Sequence, residues 1–406
     1  MKRYALAGAS SRALGMFARP IHEKFSDTAR LVGIYDVNLA RSRYISRACG
    51  DAPVFVRFDD MLREARPDCV IVTTVDRFHH EYIIRALEAG CDAITEKPMT
   101  VNDANVRAIL TAEKRTGRRI IVTFNYRFGP YVTRVKELLR DGAIGQVFSV
   151  DFEWILDTRH GADYFRRWHR RKENSGGLLV HKATHHFDLI NWWLEDEPQT
   201  VSAFGARRVY GPTRSERGER CSACEHAGAC EFYVDYRADP FMKAFYFDAE
   251  AEDGYFRDRC VFADEIDIED TMAASVKYKG GALMSYSLNA HAPYEGWRAA
   301  LNGSGGRIEV EEYHSGHRAG DASQRITMHN RKGDKVTHEI CKDIGAHGGG
   351  DERLQARLFS GRAIPDPLGH MADSWAGAMS VLIGVAANRS IATGQPVHIA
   401  DLLSDS

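Results

Sequence analysis

Short apolar runs alternate with segments of helical period over the first third of the chain. Tyr4–Gly8, Leu31–Tyr35, Asp68–Thr74, Asp92–Thr95 and Arg119–Phe124 read as strands. Between them, Leu14–Phe25, the segment capped by Asn38 and running to Cys49, His79–Ala89, and Asn102–Thr116 read as helices. Continuous rather than alternating apolar strands, each followed by a helix, predict a parallel sheet covered on both faces. From Gln146 the rhythm changes. Gln146–Leu156, Thr200–Val209, Glu265–Tyr278, Ala282–Ala290, Trp297–Gly303, Arg307–Glu311 and Gln324–Met328 read as strands, with Gly280-Gly281 as a hairpin turn. Leu178–Leu194, Asp351–Phe359 and Met371–Ala392 read as helices. The expected architecture is α/β: a doubly wound Rossmann domain over 1–124, then an α+β domain over 125–406 with a large open, mostly antiparallel sheet. A polar, cysteine-bearing insertion interrupts the second domain at about 211–262.

Length and charge narrow the function. The 406 residues can bury more than one core, and 44% of them are apolar. A formal net charge of −2 gives no electrostatic footprint for nucleic acid. The start of the chain runs straight into an apolar strand, and no apolar stretch is long enough to span a bilayer. The expectation is a cytoplasmic protein without a membrane or nucleic-acid partner.

The turn after the first strand is Gly8-Ala-Ser10-Ser-Arg12-Ala13. A dinucleotide fingerprint needs small residues there so that backbone can approach a pyrophosphate at a helix start. Ser10 and Ala13 replace the second and third glycines of that pattern, and a tight strand–helix turn is the alternative reading. Asp36, at the end of the second strand, stands where a ribose-binding acid is needed. Its charge opposes a 2′-phosphate, which favours NAD over NADP.

Two segments carry candidate chemistry. Glu96-Lys97-Pro98 follows a parallel strand, at the sheet edge where such folds bind ligands. Lys97 there can stabilise charge developing on a substrate oxygen, with Glu96 tuning it. The run from Gly176 to Trp193 contains His181, Lys182, His185 and Asp188. On one helix, His181, His185 and Asp188 share a face. Three readings of that face stand side by side: a general base, a metal site, or histidines satisfied in the core. Ahead of it, Arg166, Trp168 and His169 form a candidate sugar-binding loop, because aromatic faces stack on sugar rings and guanidinium groups bind hydroxyls. A solvated basic turn is the alternative.

These pieces in this order resemble the Gfo/Idh/MocA oxidoreductases, which include glucose–fructose oxidoreductase and inositol dehydrogenase. The resemblance rests on Gly8 to Ala13, Asp36, Thr73 to His79, Ala89 to Pro98, Gly176-Gly177 leading to His185 and Asp188, and the closing Ala392 to His398. It implies NAD(P), a carbohydrate or polyol substrate, and a C-terminal sheet that mediates homo-oligomer contacts. It implies cofactor binding by Gly8, Ser10, Arg12, Ala13, Asp36, Thr74, His79, Glu96 and Lys97. Lys97 matches the family's catalytic lysine and His185 its catalytic histidine, with His181 and Lys182 beside them. Arg166, Trp168, His169, Lys182 and Asp188 are the expected substrate contacts. Two departures bear on chemistry: His181 stands where many members carry Asp, and Val75 replaces a common Pro. The implied reaction is hydride transfer from a carbohydrate hydroxyl to nicotinamide. An NAD-dependent glycosidase or lyase, working by transient C3 oxidation and elimination, is the alternative.

The insertion adds Cys221-x-x-Cys224, with Cys230 close behind and Cys260 at its far end. Four thiolates can close a tetrahedral structural zinc site, with His226 as a substitute ligand. A metal would order a segment too polar to form its own core. Free cytosolic thiols are the alternative.

Overall fold

The computed structural model describes residues 1–321, 323–341 and 346–404. Six strands form the first sheet: β1 (Lys2–Ala7), β2 (Ala29–Tyr35), β3 (Val54–Phe55), β4 (Cys69–Val72), β5 (Asp92–Thr95) and β6 (Ile120–Val122). All neighbours are parallel, in the order β3-β2-β1-β4-β5-β6. This is the doubly wound order with its switch point between β1 and β4. β1 and β4 are wholly apolar over their buried stretches because helices cover both faces. Asn38 caps the helix Leu39–Ala48 by accepting from the Arg41 N–H, and Asn102 does the same for Asp103–Thr116. The first helix, residues 11–23, widens into a π-helical turn over Ala13–Ala18. Sequence periodicity missed β3 and the helix Phe58–Ala65.

The second sheet has nine strands: β7 (Val147–Asp157), β8 (Pro198–Ala206), β9 (Thr271–Tyr278), β10 (Leu283–Ala292), β11 (Gly296–Gly303), β12 (Gly306–Tyr313), β13 (Ser323–Asn330), β14 (Lys335–Cys341) and β15 (Val397–His398). Their order is β14-β13-β12-β11-β7-β10-β9-β8-β15. Only the β7–β10 pairing is parallel. Burial alternates along β9 and β10, so one face packs against helices and the other is open. The helices Thr184–Leu194 and Ser374–Thr393 cover the inner face. Gly384 lets Ser374–Thr393 approach the short helix Leu178–His181: a Cβ there would sit 2.3 Å from the Leu179 carbonyl oxygen.

Three expectations need correction. β9 begins at Thr271, not near Glu265, because the Asp270 carboxylate is taken by the N–H groups of Arg208, Val209 and Tyr210 and anchors a turn. The helix Pro130–Arg140 and strand β14 were not foreseen. The expected helix over 178–194 is broken into Leu178–His181 and Thr184–Leu194. The break has a cause. Lys97 Nζ donates to the His181 carbonyl at 3.0 Å, and the His185 N–H turns instead to the Lys182 carbonyl. His181 and His185 therefore do not lie on one uninterrupted helix face.

Candidate active site

A cavity of about 640 Å³ opens at the C-terminal ends of β1, β2, β4 and β5. Its walls come from the turns after those strands, from the second domain, and from the cysteine-bearing insertion. The topology places it at the switch point, where open α/β sheets bind ligands.

The nucleotide end is built from backbone proximity. Gly8 has φ +107°, and a Cβ on it would sit 2.6 Å from the backbone of Thr73 and Thr74, so only glycine fits. Ser10 Oγ accepts from the Ala13 N–H, which starts the first helix. Asp36 Oδ2 accepts from the Ala9 N–H at 2.6 Å, and its other oxygen lies 3.3 Å from Arg41. Burial raises the Asp36 carboxyl, against the pull of Arg41. The cavity walls also hold buried nitrogens without a partner: Arg41 Nη1, Arg167 Nε, Arg257 Nε and His169 Nδ1. Unpaired arginine nitrogens in the wall of a cavity that also holds a small-residue turn and a ribose-binding acid fit an anionic dinucleotide. Arg41 carries no signal in the sequence. It sits one helical turn beyond the Asn38 cap, and only the tertiary structure brings it to Asp36.

Other expected cofactor residues act as framework. Arg12 spans Glu96 at 2.8 Å and Asp351 at 2.7 Å, so Glu96 is held by Arg12 rather than by Lys97. The His79 ring lies between the carbonyls of Pro98 and Thr74, at 2.8 and 3.1 Å, and ties the turn after β4 to the cis Lys97-Pro98 loop. Thr74 lines the cavity, whereas Ala13 is buried beneath it.

At the other end, Lys97, His181, Lys182 and His185 meet in the cavity wall. Burial lowers the Lys97 ammonium, while Asp76 and Glu96 oppose that shift. One of its three N–H groups is used on the His181 carbonyl. His181 Nδ1 lies 2.5 Å from Asp76 Oδ2. Burial pushes the Asp76 carboxyl well up, and burial together with Lys97 pushes the His181 ring well down, so the pair holds no net positive charge. The acid missing from position 181 is thus supplied by Asp76, from the turn after β4. It was not singled out from sequence, because a separation of 105 residues leaves no local trace. His185 packs against Tyr126, with ring centroids 5.2 Å apart. Lys182 lies over the Trp154 ring at 4.2 Å, and burial brings it down to about 8.

Trp168 and His169 line the same cavity, stacked at 3.6 Å. Two expected substrate residues do not. Asp188 is 1% exposed and takes a two-pronged ion pair from Arg127 at 2.8 and 2.6 Å, so it fixes the helix Thr184–Leu194 rather than facing substrate. Arg166 points away, toward the Phe232 carbonyl and Cys221 Sγ in the insertion.

The insertion gathers Cys221, Cys224, Cys230 and Cys260 with His226 around one small separate cavity. The bridge between Arg220 and Arg259, with Cys221 N–H on the Asp258 carbonyl, brings distant Cys260 alongside Cys221. Arg214 donates to Cys230 Sγ at 3.1 Å and Arg166 to Cys221 Sγ at 3.5 Å. Among the described residues, no three His, Cys, Asp or Glu side chains already stand at metal-binding separation.

The Asp36 geometry predicts cofactor choice. Asp36→Ala should lower the ratio of kcat/KM for NAD over NADP by about tenfold or more, since hydrogen bonds to a charged group are lost and Arg41 is freed for a 2′-phosphate. A wild-type enzyme that prefers NADP contradicts this assignment.

Comparison with known proteins agrees with this geometry. Residues 2–124 match the oxidoreductase family's NAD-binding Rossmann fold, and residues 136–399 match its C-terminal alpha/beta domain. Over 99% of both chains, the protein is 41% identical to the oxidoreductase YteT of Bacillus subtilis (strain 168). It is 32% identical over 179 residues to inositol 2-dehydrogenase of Rhizobium meliloti (strain 1021), covering 44% of this chain and 51% of that one. Its fold matches the WlbA dehydrogenase of Chromobacterium violaceum, crystallised with NADH and UDP-GlcNAcA, at a TM-score of 0.68 and 19% identity, over 98% of this chain and 95% of that one. The Rossmann domain binds NAD, and the chain belongs to the Gfo/Idh/MocA family of oxidoreductases.

Proposed function

We propose that the protein oxidises a hydroxyl of a sugar, glycoside or polyol, with Lys97 and His185 as its catalytic residues. The observation that carries this reading is their convergence in one cavity with a dinucleotide-type turn and an aromatic, basic wall. NAD, when bound, supplies the hydride acceptor. His185 takes the hydroxyl proton, as an imidazole suits at neutral pH. Lys97 keeps two N–H groups free of the His181 carbonyl and aims them at the developing alkoxide. The Asp76–His181 pair holds the carbonyl that positions Lys97. Trp168 and His169 offer a stacking surface for the ring, and Lys182 a further donor. Inositol 2-dehydrogenase and a D-glucoside 3-dehydrogenase among the relatives support this substrate class. A fluorescence and absorbance screen for reduced nicotinamide across polyols, sugars, glycosides and sugar acids tests it. Turnover of none of them, in protein that binds NAD, overturns it.

The cysteine cavity is proposed as a structural zinc site on its donor set. Four thiols line it; burial pushes the Cys221 thiol up, and Arg166 opposes that shift. A bound ion has to draw the four together from their present separation. Protein purified without chelator should carry about one zinc per chain. Less than about half an equivalent, with all four thiols titratable, contradicts a stable site of this kind. All eight cysteines are unbridged, which supports a reducing, cytoplasmic setting. No helix among the described residues is long and apolar enough to cross a membrane. Assembly of copies is proposed through the open face of the second sheet, where Phe204 and Leu283 are exposed.

A further inference from the structure

Part of the insertion does not belong to the second domain's surface. The segment 240–257 crosses to the Rossmann domain and docks on it. Phe245 and Tyr246 are buried within the same apolar cluster as Tyr4, Leu6 and Ile34 of the first sheet. Tyr44, on the helix Leu39–Ala48, meets Phe245 edge-on at 5.1 Å.

Polar contacts cross at the same place. The Ser11 N–H, in the small-residue turn, donates to Tyr246 Oη at 3.0 Å, and Tyr246 Oη donates to Ser11 Oγ at 2.9 Å. The N–H groups of Leu39 and Ala40 donate to Glu252 Oε2 at 2.8 and 3.2 Å. Asn38 donates to the Ala249 carbonyl. Arg41 bridges Asp36 to Asp253 at 3.3 and 2.5 Å. The insertion thus grips both turns that a dinucleotide needs, the one after β1 and the one after β2. Arg257 adds a buried Nε without a partner to the cavity wall, which suits an anionic ligand.

We propose that residues 240–257 form the outer wall of the dinucleotide site and hold the cofactor in place through turnover. The inference rests on NAD binding in this cavity. A cofactor seated there leaves only when the Tyr246, Glu252 and Asp253 contacts open and the Phe245 anchor shifts. Exchange is then limited by that opening, in contrast to a Rossmann cleft that faces solvent directly.

Stopped-flow release of NADH, chased with excess NAD, measures this in the wild type and in Tyr246→Phe/Glu252→Ala. The double variant loses two sets of cross-domain hydrogen bonds and should release NADH about tenfold faster or more. Hydrogen exchange provides a second reading that needs no variant: adding NADH should slow exchange of backbone amides in 240–257. Equal release rates, or no protection of that segment by bound NADH, overturn the outer wall while leaving NAD binding intact. Failure of the wild type to bind NAD or NADH at all overturns both.

Discussion

Replacing Lys97 by Met should lower kcat by about 10²–10³-fold, the range for removing one preorganised donor to a developing oxyanion. The lysine stands at the end of β5, beside the cis Pro98, and one N–H already reaches the His181 carbonyl. Its ammonium is thereby aimed before substrate arrives and needs no reorganisation at the moment of reaction. Met matches the length of the side chain but supplies no N–H, so affinity for NAD should change little while kcat falls. The pH profile gives an independent check. Burial lowers Lys97, so its ammonium is lost at lower pH than that of an exposed lysine. Activity that depends on the charged form is present below that value and fades as pH rises through it. In Lys97→Arg that alkaline limb should move to higher pH. Near-normal turnover in Lys97→Met contradicts the assignment.

Asp188→Ala should destabilise the protein by about 3–5 kcal/mol, the usual cost of removing one partner from a buried ion pair. Arg127 and Asp188 are both buried, at 6% and 2% side-chain exposure. Burial, with a smaller push from Asp373, raises the Asp188 carboxyl, and Arg127 opposes it. Removing the carboxylate strands a guanidinium against Phe124 and Trp192. The midpoint of denaturant unfolding should fall sharply. The double variant Arg127→Met/Asp188→Leu should recover much of the loss, because an apolar pair of similar volume avoids the uncompensated charge. A single variant as stable as the wild type contradicts a framework role and returns Asp188 to the list of candidate substrate residues.

These two residues mark the boundary of what local pattern reveals. Period and capping reveal most of the Rossmann domain, since its strands are mainly apolar where they are buried and Asn38 and Asn102 cap helices through local bonds. Lys97 and His185 were legible because each sits in a short distinctive run, and the structure brings both to one cavity. Asp188 was misplaced for the opposite reason. Helical spacing puts it near His185, but its partner Arg127 lies 61 residues away and decides where it points. Asp76 and Arg41 escaped notice because their value comes from His181 and from Asp36 and Asp253 across the fold. The insertion reads as a polar loop in sequence. Three of its aromatic residues, Phe241, Phe245 and Tyr246, dock it on another domain.

The proposed reaction passes a hydride from a carbohydrate carbinol to the nicotinamide bound by this chain. It is tested most directly with a substrate identified in the screen and deuterated at its carbinol carbons. The protein is mixed with it in a single turnover, denatured, and its nicotinamide weighed by mass spectrometry. Deuterium is expected on the nicotinamide in the wild type and little in Lys97→Met, whether or not free NADH accumulates. Consumption of substrate with no deuterium ever reaching the nicotinamide would contradict it.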